Sequence, residues 1–163
     1  MTADARNLKM DRMRYTKDKF SARFVLLAIV FNALYFIKLY QLDVGTYYYK
    51  WQIGASVIYN LIFMLAAFLA SEGVKSRKTG FTGVLLAVGA LQIARIFYLP
   101  FQAVGATVSI DNTEIAVMTR GQFIYIVVCL SVSAVCCAVA AVTSYINNKT
   151  LAQYMRYLEN QSA

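Results

Sequence analysis

The chain has 163 residues, of which 60% are hydrophobic and 15% are charged, and its mean hydropathy is +0.53. A soluble domain usually has roughly 45–50% apolar and about 25% charged residues, so this composition excludes an ordinary soluble domain. The net charge of +8 does not indicate a nucleic-acid partner, because the cations border apolar segments and are not interleaved with stacking aromatic residues.

Four apolar segments follow a basic leader at residues 1–19. Each is about 20 residues long, and at 1.5 Å per residue such a helix covers a hydrocarbon core of about 30 Å. Backbone groups must be paired inside a bilayer, so we expect helices. The predicted spans cover residues 20–40, 51–70, 81–99 and 122–145, and they form one transmembrane domain at 20–145.

The segment between the third and fourth spans, residues 100–121, is the longest predicted outer loop. Pro100 closes the third span, because proline cannot continue helical hydrogen bonding. Residues 106–110 and 115–119 are rich in β-branched residues and flank Asp111 and Asn112, which favour a turn. We therefore predict a short extracellular β-hairpin.

The last segment, residues 146–163, places Leu151, Tyr154, Met155 and Leu158 at helical spacing. This pattern predicts a cytoplasmic amphipathic helix at the membrane surface.

The distribution of Lys and Arg indicates the orientation. Seven lie in or beside the leader, three between residues 75 and 78 and two in the tail, whereas the opposite flanks carry only Lys38, Lys50 and Arg120. By the positive-inside rule both chain ends are cytoplasmic. The sequence predicts an all-α four-helix transmembrane bundle, multi-pass in a plasma membrane, with lipids as partners.

A polar cluster lies within the apolar spans. Measured along each antiparallel path, Asn32, Asn60 and Gln92 fall close to one depth, and Arg95 lies about one helical turn further outward. Ser56 shares a face with Asn60. Such side chains either hydrogen-bond between helices and fix their packing or form a binding site.

Arg95 has no acidic residue within the spans as a partner. Its guanidinium can extend to the outer headgroups, or it can meet Asp43, Asp111 or Glu114. It can also pair with a carboxylate of another protein or with an anionic ligand in a polar cavity.

Small residues indicate where helices approach closely. We expect the contact within this chain, although the pattern also fits a neighbouring chain. The stripes are Gly83, Ala87, Ala90 and Ala94 on the third span, and Cys129, Ser133, Cys136 and Ala140 on the fourth.

Catalysis has little support in this sequence. The chain has no histidine, its three cysteines lie in the last span, and no span contains an acid. General acid–base catalysis needs a positioned titratable group. We therefore expect no enzymatic activity, no metal site and no cofactor.

Several strings in the first half of the chain resemble a group of four-span membrane proteins of Gram-positive bacteria. The similarity covers residues 14–100 and rests on 14–20, 26–32, 58–61 and 69–75. This resemblance implies that the protein lies in a bacterial plasma membrane. More loosely, it implies an association with ABC-type transporters.

Two functional hypotheses follow. The first is a non-enzymatic small membrane subunit that associates with a larger membrane complex such as an ABC-type transporter. The alternative is a homo-oligomeric channel or small transporter for an anion or small solute, lined by the polar cluster.

Overall fold

Four long apolar helices make up most of the chain. The computed structural model describes residues 8, 11–13, 15–40, 50–98, 100–110 and 113–162. Each long helix is apolar enough and long enough to cross a membrane, which confirms the four predicted spans and is consistent with a multi-pass membrane protein. The helices are α1 Lys19–Tyr40, α2 Lys50–Lys75, α3 Gly80–Tyr98, the short α4 Pro100–Ala103, and α5 Arg120–Ser162.

Helix boundaries at one end of the bundle follow from local capping. The Asp18 carboxylate precedes α1 and accepts hydrogen bonds from the Ser21 N–H (3.1 Å) and hydroxyl (3.0 Å), as an N-cap residue does. Two residues after the end of α2, Arg77 has a φ of 58°. The Arg77 N–H donates to the Val74 carbonyl and the Lys78 N–H to the Gly73 carbonyl, which is the Schellman arrangement. The basic loop between α2 and α3 therefore has a defined conformation.

Long-range hydrogen bonds show that successive long helices run antiparallel. Ser71 near the end of α2 donates to the Ala22 carbonyl near the start of α1. The Ser21 hydroxyl, also near the start of α1, lies 3.0 Å from the Thr143 hydroxyl of α5. The start of α1, the end of α2 and the later part of α5 therefore lie at one end of the bundle.

The core has two parts. One lies between the helices near that first end and includes Val25, Ala67 and Leu85, all fully buried. The other lies at the opposite end, where the buried Tyr35 packs with Met118 and Ile126. The segments around α4 and before α5 thus cover that end of the bundle.

Two short strands lie at the end of the bundle opposite Asp18. Strand β1 (Thr107–Ile110) pairs antiparallel with β2 (Thr113–Ala116), and Ile110 is the partner of Thr113. The first predicted arm contains β1, whereas β2 begins two residues before the second predicted arm. Because Ile110 pairs with Thr113, two residues separate the strands, and the second strand begins at residue 113. The predicted turn residues Asp111 and Asn112 lie outside the described residues.

The fourth span and the tail form a single helix. Helix α5 continues from Arg120 to Ser162 without interruption, where the sequence had indicated a separate surface helix from residue 146. Residues 122–162 contain neither glycine nor proline, so no residue there interrupts helical hydrogen bonding. Its 43 residues extend about 65 Å at 1.5 Å per residue, roughly twice the hydrocarbon thickness.

Candidate functional site

The predicted polar cluster is assembled in the middle of the bundle. Arg95 Nη1 donates to the side-chain oxygen of Asn60 at 2.7 Å and to that of Asn32 at 3.4 Å. Gln92 Nε2 also donates to the Asn32 oxygen, at 3.0 Å. Side chains from α1, α2 and α3 therefore meet at one level, as the depth count along the spans predicted.

Helix α5 joins this network through Ser133. The Ser133 hydroxyl accepts from Gln92 Nε2 at 3.2 Å and donates to the Ala28 carbonyl of α1 at 2.9 Å. The sequence had assigned Ser133 to a packing stripe, so its role in the polar cluster was missed. Ser56 contributes its carbonyl oxygen, which accepts from Asn60 Nδ2 at 3.0 Å.

The Arg95 side chain turns toward the centre of the bundle. Only 7% of the residue is exposed. In a helix the Cα–Cβ bond tilts toward the N-terminus, and for Arg95 that direction leads back to the level of Gln92. Extension toward the nearer end of the bundle would oppose this tilt. The guanidinium therefore bonds to amides inside the bundle. The sequence-based alternative had the side chain extend outward to the headgroups.

Two tyrosine rings flank the guanidinium. The Arg95 Cζ lies 4.4 Å from the ring centre of Tyr35 and 4.7 Å from that of Tyr59. Such cation–π contacts stabilise a positive charge that has left water. The sequence analysis did not select either tyrosine. Helical spacing carried the signal, because Tyr35 follows Asn32 by three residues and Tyr59 follows Ser56 by three.

The positive charge of Arg95 has no acidic partner within the described residues. The Glu72 carboxylate lies 2.7 Å from Lys75 Nζ and pairs with that cation, not with Arg95. Of the acids that the sequence had suggested for Arg95, Glu114 makes no such pair, and Asp43 and Asp111 lie outside the described residues. Among the residues that the structure describes, amide oxygens and aromatic rings surround the charge.

A cavity of about 450 Å³ lies between α2 and α3 beside Arg95. Leu91 and Tyr98 line it and are 51% and 50% exposed, so the cavity opens at the outer surface of the helix pair. Its lining is apolar except at the polar groups of Ser56, Tyr59, Arg95 and Tyr98. The lining residues are Ala55, Ser56, Tyr59, Leu91, Ala94, Arg95 and Tyr98.

Three residues of this lining carry buried polar atoms without a hydrogen-bond partner in the described part of the chain. They are the Ser56 hydroxyl, the Tyr59 hydroxyl and Arg95 Nη2. All three atoms can donate a hydrogen bond. Buried donors without a partner cost free energy, so an acceptor that came within reach of these groups would stabilise this part of the bundle.

The two small-residue stripes have different surroundings. On α5, Cys129, Ser133, Cys136 and Ala140 are buried, in agreement with the expected contact. On α3, Gly83, Ala87, Ala90 and Ala94 are exposed, and a side chain at Gly83 would meet no atom within 4 Å. The expected packing within the chain is therefore not observed for α3. We call these four α3 residues the small-residue face.

The close approach between α3 and α5 occurs at Gly89 instead. A Cβ atom there would lie 3.3 Å from the Cβ of Cys137 and 3.4 Å from the Ala134 carbonyl oxygen. This glycine lies one residue before Ala90, on the opposite face of α3 from the predicted stripe. Gln92, about one turn further along α3, donates to Ser133 of the same helix α5.

No protein-family model matches the chain, and neither curated proteins nor solved structures include a significant match.

Proposed function

We propose that this chain is a non-enzymatic subunit of a bacterial plasma membrane that docks onto a larger membrane protein, such as an ABC-type transporter. The contact surface is the small-residue face of α3, and the occupant is a transmembrane helix of the partner. Both chain ends lie in the cytoplasm in this proposal, because the basic leader and the Lys75–Lys78 loop obey the positive-inside rule.

One observation carries this proposal: four small residues at helical spacing remain exposed on α3. In a bilayer, lipid tails are as apolar as leucine, so helix association depends on close backbone packing between small residues. The matching stripe on α5 is buried against other helices. The same residue pattern on α3 stays exposed, with Ala94 facing α2 across the cavity, and a partner helix would cover it.

The filled interior of the bundle favours a docking role over a solute pathway through this chain alone. Asn32, Tyr35 and Gln92 are fully buried and fill the centre. Asn32 accepts hydrogen bonds from Gln92 and Arg95, whereas the Tyr35 hydroxyl and Gln92 Oε1 are buried without a partner among the described residues. The small-residue face is an exposed surface on which close packing of a partner helix is possible.

Copurification tests the proposal. The full chain, tagged and expressed in its native membrane, is extracted in mild detergent together with an Ala87→Leu variant. Ala138→Leu is the matched control, because Ala138 is also an exposed alanine but lies on α5. We expect one larger membrane protein at fixed stoichiometry with the wild type and the control, and its loss with Ala87→Leu.

Two outcomes would overturn the proposal. One is a discrete monomer or homo-oligomer of the wild type under every mild extraction condition. The other is equal retention of the partner by both leucine variants, which would place the contact elsewhere.

The alternative function, a homo-oligomeric channel or small transporter for an anion or small solute, is favoured by a separate observation. Arg95 carries a charge without an acidic partner among the described residues and borders a cavity. Purified protein in liposomes would then conduct without a partner, and Arg95→Ala would change the anion preference. Absence of flux, together with a stoichiometric partner, would exclude this alternative.

A further inference from the structure

We propose that the cavity between α2 and α3 binds a single-chain amphiphilic carboxylate of the fatty-acid class. The carboxylate meets Arg95, Ser56 and Tyr59, and the chain follows the apolar lining toward the surrounding lipid. This site requires no partner protein, so it stands independently of the docking proposal.

The charge of the ligand follows from the groups on the cavity wall. The Arg95 guanidinium offers Nη2, and the Ser56 and Tyr59 hydroxyls offer two further donors, all buried and unpartnered in the described chain. An ionised carboxylate only accepts hydrogen bonds, so it satisfies all of these groups. Hydrogen bonds between two ionised groups are about twice as strong as neutral ones.

The bound anion also supplies the negative charge that Arg95 lacks as a partner among the described residues. A cation near the centre of a bilayer is costly unless it pairs with another charge, with amide oxygens or with water. Asn60 and Asn32 provide dipoles to one guanidinium nitrogen, Nη1. The other terminal nitrogen, Nη2, is buried and has no hydrogen-bond partner in the described chain, and in this proposal it pairs with the anion.

The remainder of the cavity selects an apolar body. Ala55, Leu91 and Ala94 provide no polar side-chain atoms, and Leu91 and Tyr98 lie half-exposed on the outside of the helix pair. The mouth therefore faces the lipid, so a molecule dissolved in the membrane reaches it more readily than a hydrated ion. A volume of about 450 Å³ is within the range of small-molecule sites.

Equilibrium binding of radiolabelled hexadecanoic acid to the delipidated full chain in nonionic detergent tests this site. We expect saturable binding of one molecule per chain. Hexadecanol, which has the same chain without the charge, should bind at least tenfold more weakly. Acetate, which has the charge without the chain, should not displace the label at equal concentration.

Three variants locate the binding. Arg95→Gln removes the charge, and Ala94→Phe fills the cavity from an exposed position without touching the polar network; each should weaken binding at least tenfold. Arg120→Gln is the control, because it removes an exposed cation outside the cavity and should stay within twofold of the wild type.

The proposal fails if hexadecanol binds as tightly as hexadecanoic acid, or if Ala94→Phe retains binding. Displacement by acetate at equal concentration would show a water-facing anion site instead. Displacement of the label by phosphatidylglycerol at a lower concentration than by unlabelled hexadecanoic acid would show a two-chain lipid site and also overturn it. If Arg95→Gln does not fold, Ala94→Phe and the alcohol comparison still decide the question.

Discussion

At the residue scale, Asn60 is the nearest hydrogen-bond acceptor of the buried Arg95 guanidinium. The 2.7 Å bond from Nη1 to the Asn60 oxygen is the shortest in the polar cluster. Asn60 also accepts from the Asn32 amide, at 3.5 Å. Residue 60 is therefore the position at which a changed side chain most directly alters the surroundings of the guanidinium.

We predict opposite effects for two substitutions at this position. Asn60→Leu removes the acceptor and leaves buried donors unpaired, which costs about 1–3 kcal/mol. Asn60→Asp keeps the shape and supplies a negative charge beside Arg95, so the apparent melting temperature should equal or exceed that of the wild type. Thermal unfolding of the delipidated protein in nonionic detergent measures both. A lower melting temperature for Asn60→Asp than for Asn60→Leu would show that Arg95 already has an anionic partner.

The sequence predicted part of this site and missed the rest for definable reasons. Asn32, Asn60 and Gln92 were placed at one depth because antiparallel helices with a fixed rise allow depth to be counted. The direction of Arg95 was left open because a long flexible side chain can reach several partners. Tyr35 and Tyr59 were missed because tyrosine in a membrane span reads as an apolar residue, and Ser133 because small polar residues also serve packing.

At the element scale, helix α3 has a glycine on each of two faces, and the surroundings of these glycines differ. Gly89 lies against Cys137 and Ala134 of α5, whereas Gly83 has open space around it. Substituting each of these two glycines by the same larger residue therefore compares the packed face with the small-residue face.

We predict that Gly89→Leu destabilises the bundle and that Gly83→Leu does not. A leucine at residue 89 must push α5 away from α3, and such overpacking costs about 1–3 kcal/mol. Residue 83 can accept the larger side chain without displacement. Apparent melting temperatures in detergent should separate the two variants. Equal losses would show that the face around Gly83 is also packed in the solubilised protein.

The sequence allowed the bounds of most spans to be predicted, but not the face of α3 that packs against the other helices. The spans were found within a few residues at most boundaries because length and hydropathy define them, and the exception was the continuous α5 helix. Which face of α3 points inward was not predictable in the same way. In lipid both faces of a helix are apolar, so the periodicity that identifies a buried face in a soluble protein is lost. The sequence analysis therefore selected the small-residue face and did not consider Gly89.

At the scale of the whole molecule, the proposed orientation puts the α2–α3 loop and the β1–β2 pair on opposite sides of the membrane. The loop carries Lys75, Arg77 and Lys78, and translocation of such a cluster is unfavourable. Helical contacts place these two segments at opposite ends of the bundle. Labelling of one position in each segment therefore determines the orientation of the whole chain.

We predict that Ser109→Cys reacts with a membrane-impermeant maleimide on intact cells, and that Lys78→Cys reacts only after lysis. Both positions are exposed, whereas the native cysteines are buried and give little background. Labelling is read by the mass increase of the purified protein. The reverse pattern would invert the orientation and contradict the positive-inside assignment.

Ala94 belongs both to the small-residue face and to the wall of the cavity. A helix seated along α3 would cover the mouth through which an amphiphile enters, so the two occupants cannot act independently. Linkage requires that each alters the apparent affinity of the other by the same factor. A subunit built in this way would make assembly of its complex sensitive to the free fatty acid content of the membrane.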